Sequence, residues 1–166
     1  MTQRTLLVMR HAKAAWPDGV SDLRRPLAPR GRADAAVAAD YLSNVVPTCP
    51  RVLVSPALRT EETWSIISPR LGQVWVQTIE EGLYEASVID LFQAIRAQGP
   101  ECEQLLIIGH NPGCAELTTA LQLDAKPRSS PTSAIALFTF DGEWSELEQA
   151  ELVSFVVPRA LRILGD

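Results

Sequence analysis

Apolar residues occur along this chain in two patterns that predict its secondary structure. Short continuous apolar runs predict strands that are buried on both faces. These runs cover residues 6–9, 51–54, 74–76, 105–109 and 134–140. Apolar residues spaced by three or four positions predict helices with one buried face. These helices cover residues 30–46, 56–71, 89–98 and 112–121.

The order of these elements predicts the fold class. Strands alternate with helices over most of the chain, which is typical of a parallel sheet with helices packed against it. A turn signal at Asp141-Gly142 and a returning apolar run at residues 152–157 predict a final hairpin. We therefore predict an α/β fold of three layers: a mostly parallel central sheet, helices on both faces and a late antiparallel strand.

Helix starts are predicted at two places where a capping residue precedes proline. Ser55-Pro56 follows the second predicted strand, and Asn111-Pro112 follows the fourth. Serine and asparagine are preferred caps, and proline is favoured at the first helical position. We expect each helix to begin directly after its strand.

The length of the chain and its apolar pattern limit the number of domains and the class of protein. The chain has 166 residues, so we predict a single domain over residues 1–166. No apolar run approaches the roughly 20 residues that a membrane-spanning helix needs, so we expect no membrane partner. The N-terminal apolar run stops at Arg10, which argues against a signal peptide. We expect a monomer in the cytoplasm.

Composition narrows the possible ligands. The net charge of −5 argues against a nucleic-acid partner, since such proteins need a broad basic surface. Cys49, Cys102 and Cys114 have no metal-binding or disulfide-framework spacing. Residues 1–32 nevertheless contain seven basic and only two acidic residues. A local basic pocket on an acidic protein indicates a small anionic ligand.

Four polar residues follow three of the predicted strands. Arg10 and His11 follow the first strand, Arg59 lies just beyond the second, and His110 follows the fourth. The carboxyl ends of parallel strands meet at one edge of a sheet, where ligands bind. Both histidines of the chain are in this set. The set suits phosphoryl transfer, since guanidinium groups bind phosphate and an imidazole can act as nucleophile.

These residues resemble the histidine phosphatase superfamily, which is related to the cofactor-dependent phosphoglycerate mutases. The resemblance rests on Arg10-His11-Ala12, on the segment from Ser55 through Arg59 to Thr63, and on Gly109-His110-Asn111-Pro112. It is closest to the small phosphohistidine phosphatase branch of the SixA type. The segments from Asp22 to Leu27 and from Pro131 to Ala134 add to it. The chain also lacks the insertions of the mutases.

The resemblance implies a mechanism and a substrate. His11 would be the nucleophile, and Arg10, Arg59 and His110 would bind the phosphoryl group. No metal ion and no cofactor would be needed, and no metal-ligand spacing is found in the sequence. The substrate would be phosphohistidine in a protein. A phosphatase for a small-molecule phosphoester or anhydride is one alternative, and a non-catalytic phosphate-binding or interaction module is another.

The general acid and the mouth of the site are less defined. Glu81 is our candidate for the acid, among the loop carboxylates Asp18, Glu80, Glu81 and Glu85. The alternative is that all of these are solvated, and a leaving imidazole needs little help from an acid.

Lys13, Arg25 and Ser133 are candidates for further substrate binding, although a solvated loop also explains the two basic residues. Trp16 is the tryptophan we expect at the rim.

Overall fold

A computed structural model describes residues 1–46, 51–72, 75–124 and 126–164 of the chain. The strands are β1 (Gln3–Arg10), β2 (Arg51–Val54), β3 (Val76–Ile79), β4 (Gln104–Gly109), β5 (Ile135–Asp141) and β6 (Glu151–Val156). They form one six-stranded sheet in the order β3-β2-β4-β1-β5-β6. The first four strands pair in parallel, whereas β5 pairs antiparallel with β1 and β6. The mostly parallel sheet with a late antiparallel strand is confirmed.

Helices cover both faces of this sheet. They are α1 (Pro29–Val45), α2 (Leu58–Ile67), α3 (Val88–Arg96), α4 (Gly113–Ala120) and α5 (Pro158–Leu164). Successive residues of β1 point to opposite faces, so Leu6 and Val8 join one apolar cluster while Leu7 and Met9 join another. The first cluster includes α3 and α4, and the second includes α1 and α2. The three-layer prediction is confirmed.

Strand β3 differs from its prediction for a reason that lies in its position. The apolar run at residues 74–76 predicted the strand, but β3 spans Val76–Ile79, and Val74 lies outside the described residues. All four residues of β3 are exposed, because the strand forms an edge of the sheet. An edge strand lacks the continuous apolar signal of a central strand.

The starts of two helices were also predicted wrongly. Helix α2 begins at Leu58 rather than at Pro56, and α4 begins at Gly113. Ser55 and Asn111 do not cap these helices. The Ser55 hydroxyl lies 2.7 Å from His110 Nε2, and Asn111 Nδ2 donates to the Ser130 carbonyl at 2.8 Å. Both side chains bind other loops at the carboxyl edge of the sheet.

The sheet register brings the carboxyl ends of three strands together. Arg10 of β1 lies opposite Gly109 of β4, and Val54 of β2 lies opposite Ile108 of β4. The segments after these strands therefore converge at one edge. Arg4 lies near the other end of β1, where it is buried and donates to the Glu143 carboxylate at 2.7 Å. It belongs to a structural contact and not to the predicted basic pocket.

The long loop between β1 and α1 is fixed at its base. Ala14 and Leu27 form an antiparallel bridge, and the Ala28 amide donates to the Lys13 carbonyl at 2.8 Å. The loop packs directly on Gly31 of α1. A side-chain Cβ at Gly31 would overlap the Lys13 carbonyl and lie 2.8 Å from the Lys13 nitrogen. Glycine is therefore required there for the close approach of the two backbones.

Candidate active site

His11 continues the line of β1 and is held by backbone contacts on two sides. Its amide donates to the Gly109 carbonyl at 3.0 Å, and its carbonyl accepts from the Ser133 amide at 3.0 Å. The imidazole is 7% exposed, and its Nδ1 lies 2.7 Å from the Ala12 carbonyl oxygen. Because a carbonyl can only accept, Nδ1 carries the proton and Nε2 keeps its lone pair. The ring nitrogen with an available lone pair is therefore Nε2.

The acid–base state of His11 follows from its surroundings. Burial lowers its pKa from 6.5 to about 3, and the charges of Arg59 and Arg10 add to the effect. The ring is therefore neutral at pH 7. The turn that orients it is fixed by Thr63, whose hydroxyl oxygen accepts from the Ala12 amide at 3.1 Å. Helix α2 thus positions the partner of Nδ1.

His110 faces His11 across the site. The two ring centroids are 5.2 Å apart. Arg59 Nη2 lies 3.3 Å from His110 Nδ1, and since a guanidinium only donates, Nδ1 is the acceptor. His110 Nε2 therefore carries the proton and donates to the Ser55 hydroxyl. Burial, followed by the charge of Arg59, lowers the pKa of His110 to about 4, so this ring is also neutral at pH 7.

Two guanidinium groups keep unused donors at this site. Arg59 is 6% exposed, and its Nη1 donates to the Asp22 carbonyl at 2.7 Å. Arg10 Nη1 donates to the Ser130 carbonyl at 3.2 Å. The Nε–H groups of Arg10 and Arg59 are buried and have no hydrogen-bond partner in the described part of the chain. Buried donors without partners are costly, and a bound anion within their reach would satisfy them.

These groups line one small cavity at the carboxyl edge of the sheet. Its volume is about 250 Å³. Its lining comprises Arg10, His11, Lys13, Ala14, Trp16, Arg25, Arg59, His110, Asn111 and Thr132. The sequence therefore identified four residues that the fold brings together from three separate strand ends. The cavity combines a neutral imidazole with several cationic groups, which is the arrangement expected for phosphoryl transfer.

A comparison with known families matches this geometry. The family model described as "Histidine phosphatase superfamily (branch 1)" matches residues 6–104, more than half of the chain. The chain belongs to the histidine phosphatase superfamily. The function that this membership supports is that of a phosphatase.

Individual relatives place the chain near one branch of the superfamily. An uncharacterised protein of Mycobacterium leprae is 38% identical over 165 residues, which cover 91% of this chain and all of that protein. Phosphohistidine phosphatase SixA of Escherichia coli is 31% identical over 140 residues, covering 82% of this chain and 85% of SixA. A structure of the protein histidine phosphatase SixA with tungstate has a TM-score of 0.82 and 29% identity. It covers 95% of this chain and 99% of that one. The chain is therefore SixA-like in sequence and fold.

The predicted mouth residues lie at or beside the cavity. Lys13 and Arg25 line it, and Trp16, which is 75% exposed, lies at the rim. Ser133 is fully buried and contacts the site through its amide, with φ of 67°. Its hydroxyl is not part of the cavity lining, whereas the neighbouring Thr132 is. The fold thus places the Pro131–Ala134 segment beside His11.

Glu81, like the Ser133 hydroxyl, is a candidate that the fold does not bring into the cavity lining. It is exposed at the start of a short 3₁₀ turn, Glu81–Leu83, and is not part of the cavity lining. No carboxylate of the described residues is in that lining. Whether Glu81 acts on a bound substrate stays a prediction.

Asp22 and Tyr84 are residues whose roles the sequence did not reveal. Asp22 Oδ2 accepts from Arg59 Nη2 at 3.1 Å and from the Tyr84 hydroxyl at 2.7 Å, while Oδ1 accepts from Arg25 Nη1 at 3.2 Å. The Tyr84 hydrogen bond, followed by those from Arg25 and Arg59, lowers the pKa of Asp22 to about 2 against an opposing effect of burial. Asp22 is thus ionised, and it orients two cavity-lining guanidinium groups. The segment from Asp22 to Leu27 was the available signal.

Two further observations concern metal ions and membranes. Among residues 1–46, 51–72, 75–124 and 126–164, no group of three or more His, Cys, Asp or Glu is arranged to hold a metal ion. Cys102 and Cys114 are buried and free, and Cys49 lies outside the described residues. Within the same ranges, no helix has the length and apolar character to cross a bilayer. A metal-independent reaction stays a prediction.

Proposed function

We propose that the chain hydrolyses phosphohistidine in a protein through a covalent intermediate on His11. The observation that carries this proposal is the protonation of the His11 ring and its place in the cavity. Its Nδ1–H is occupied by the Ala12 carbonyl, which leaves the Nε2 lone pair available in a cavity lined by Arg10 and Arg59. A binding module would have no need of a nucleophilic imidazole fixed in this way.

The proposed reaction has two displacements at phosphorus. In the first, the substrate imidazole takes a proton from solvent on its other ring nitrogen, His11 Nε2 forms a bond to phosphorus, and the P–N bond of the substrate breaks, so that neutral imidazole leaves. In the second, a water oxygen bonds to phosphorus, the P–Nε2 bond breaks, and inorganic phosphate leaves with one proton of that water while the other proton returns to the solvent. The guanidinium groups of Arg10 and Arg59 hold the phosphoryl oxygens throughout.

His110 would stabilise the phosphoryl oxygens by donating from Nδ1. A phosphoryl oxygen between Arg59 and His110 would take the Arg59 N–H that Nδ1 now accepts. His110 can then carry its proton on Nδ1, because the Ser55 hydroxyl next to Nε2 can donate as well as accept. Ser55 is therefore a positioning residue that adapts to either tautomer of His110.

The chemistry of the cavity favours an imidazole leaving group. The described residues contribute no carboxylate to the lining, and a general acid matters most when the leaving group is a strong base such as an alkoxide. The second ring nitrogen of phosphohistidine is basic and can take a proton from solvent before the P–N bond breaks, so the ring leaves as neutral imidazole without an acid in the cavity. The SixA relatives support the same substrate by their names, and the SixA complex with tungstate supports an oxyanion as ligand. Glu81 remains the candidate acid for a small-molecule ester or anhydride.

The test is to follow the phosphoryl group. The purified protein is incubated with a ³²P-labelled phosphohistidine protein, quenched in alkali to preserve phosphohistidine, and digested to locate the label. We expect label on His11 and release of phosphate, and we expect His11→Asn to abolish both. Turnover by His11→Asn at the wild-type rate would refute the covalent mechanism.

Substrate class is tested separately with the same preparation. The rate with a phosphohistidine peptide is compared with the rate for an alkyl phosphomonoester of similar size. Faster hydrolysis of the ester would reject the phosphohistidine assignment in favour of a small-molecule phosphatase. Glu81→Gln is included in both assays. We expect it to leave phosphohistidine hydrolysis within about twofold of wild type, since the imidazole leaving group needs little acid catalysis.

A further inference from the structure

Trp16 combines high exposure with a place in the catalytic cavity. Its side chain is 75% exposed, yet it lines the same cavity as His11 and His110. Single exposed apolar side chains are common on protein surfaces, so the informative observation is the place of Trp16 in the cavity lining and not its exposure alone. A tryptophan at the rim of a reactive cavity is therefore a candidate for ligand contact.

The backbone that carries Trp16 is fixed. The preceding residue, Ala15, donates its amide to the Pro26 carbonyl at 2.8 Å and accepts from Arg25 Nε at 3.0 Å. These contacts extend the bridge between Ala14 and Leu27. Trp16 thus projects from a short two-stranded base and not from a free loop tip.

The indole itself has one covered face. The Arg25 guanidinium carbon lies 3.1 Å from the centroid of the Trp16 ring, and Arg25 is 8% exposed. The guanidinium is held in turn by the Asp22 carboxylate. This stack fixes the plane of the ring, since a cation is attracted to the aromatic face. The high exposure of Trp16 shows that much of the rest of the ring is accessible.

We propose that Trp16 forms a stacking surface for a planar ring on the leaving group of the substrate. The inference rests on the proposed function, in which that ring is the imidazole of phosphohistidine. At about 30 Å³ for each water-sized group, the cavity of about 250 Å³ holds roughly eight such groups. The four heavy atoms of a phosphoryl group would fill about half of it, so the ring would extend from the cavity onto the exposed indole of Trp16.

A ring subsite would act on specificity. Stacking of one flat ring on an aromatic side chain is worth about tenfold in affinity or more when the side chain is cut to alanine. The contact would favour phosphohistidine over compounds that have the same P–N bond and no ring. It would also orient the P–N bond toward His11 Nε2, which a phosphoryl contact alone does not do.

The experiment compares two P–N substrates that differ in the ring, namely phosphoimidazole and phosphoramidate. Values of kcat/KM are measured for wild type, Trp16→Ala and Trp16→Phe. We expect Trp16→Ala to lower kcat/KM for phosphoimidazole about tenfold and to change it for phosphoramidate by less than about twofold. Trp16→Phe should retain most of the wild-type preference, because phenylalanine keeps an aromatic face. Val20→Ala, an exposed residue of the same loop, is the control and should change neither value.

Two results would overturn the stacking surface. An equal loss with both substrates would show that Trp16 acts only by covering Arg25, and no loss with either would show that the ring makes no contact.

If the wild type hydrolyses phosphomonoesters and neither P–N compound, the proposed substrate is wrong. The comparison then uses phenyl phosphate and ethyl phosphate, where the ratio of Trp16→Ala to wild type cancels intrinsic reactivity. A selective loss with phenyl phosphate would support the ring subsite independently of the phosphohistidine assignment.

Discussion

The two buried histidines make the stability of this protein depend on pH in a calculable way. His11 and His110 have pKa values of about 3 and about 4 in the folded chain, against 6.5 for an unperturbed histidine. Between these values the unfolded chain binds more protons than the folded chain. The free energy of unfolding therefore rises with pH up to about 6.5 and falls as the solution is made more acidic.

The magnitude follows from the same pKa values. Between pH 5 and pH 6, each histidine contributes about 1 kcal/mol to the increase in unfolding free energy, so the pair contributes about 2 kcal/mol. The chain has no other histidine. The Asp22 carboxyl, with its pKa of about 2, changes stability mainly below pH 4 and contributes little in this interval. The interval thus isolates the active-site imidazoles.

The assay is urea unfolding at pH 5.0, 5.5 and 6.0, in a buffer without phosphate because a bound anion would raise both pKa values. His11→Asn removes one titrating group while its amide can still donate to the Ala12 carbonyl. We expect the increase between pH 5 and pH 6 to be about 1 kcal/mol smaller in this variant than in wild type. An equal pH dependence of wild type and variant would refute the assignment of a buried neutral imidazole to His11.

Two further predictions concern residues around the site. Ser55→Ala removes the buried acceptor of the His110 Nε2 proton. We expect the unfolding free energy to fall by about 1–3 kcal/mol and kcat to fall about tenfold. Ser65→Ala, at an exposed serine, is the control. Gly31→Ala would gain about 1 kcal/mol in helix propensity, but the added Cβ would overlap the backbone of the β1–α1 loop. We therefore expect a net loss of about 1–3 kcal/mol in unfolding free energy, measured by thermal or urea unfolding. Gly72→Ala, where a Cβ meets no atom within 4 Å, should be close to neutral, and an equal effect of the two glycine substitutions would contradict the packing argument.

Much of the fold was predictable because its signals are local. The central strands β1 and β4 are continuous apolar runs, since each is covered by helices on both faces. The polar residues Arg10, His11 and His110 stand out for the same reason, because they interrupt such runs where a strand ends. Alternation of strands and helices then implies that these ends meet at one edge.

The parts that were not predictable depend on contacts between distant segments. Ser55 and Asn111 have the local features of helix caps, but in the folded chain their side chains reach His110 and the Ser130 carbonyl. The edge strand β3 carries a weak apolar signal because nothing covers it. Local preference decides such positions only when no tertiary partner competes for the same side chain.

The sequence by itself predicted the central sheet, the two helical layers and the four residues Arg10, His11, Arg59 and His110 that line one cavity. The tertiary structure alone decided the protonation of both imidazoles, because this depends on burial and on the acceptors at Ala12 and Ser55. It also decided that Asp22 holds Arg59 and Tyr84, which lie 37 and 62 positions away in the chain. Spacing along a chain carries little information about hydrogen bonds of that range, since they form only after the sheet has brought the loops together.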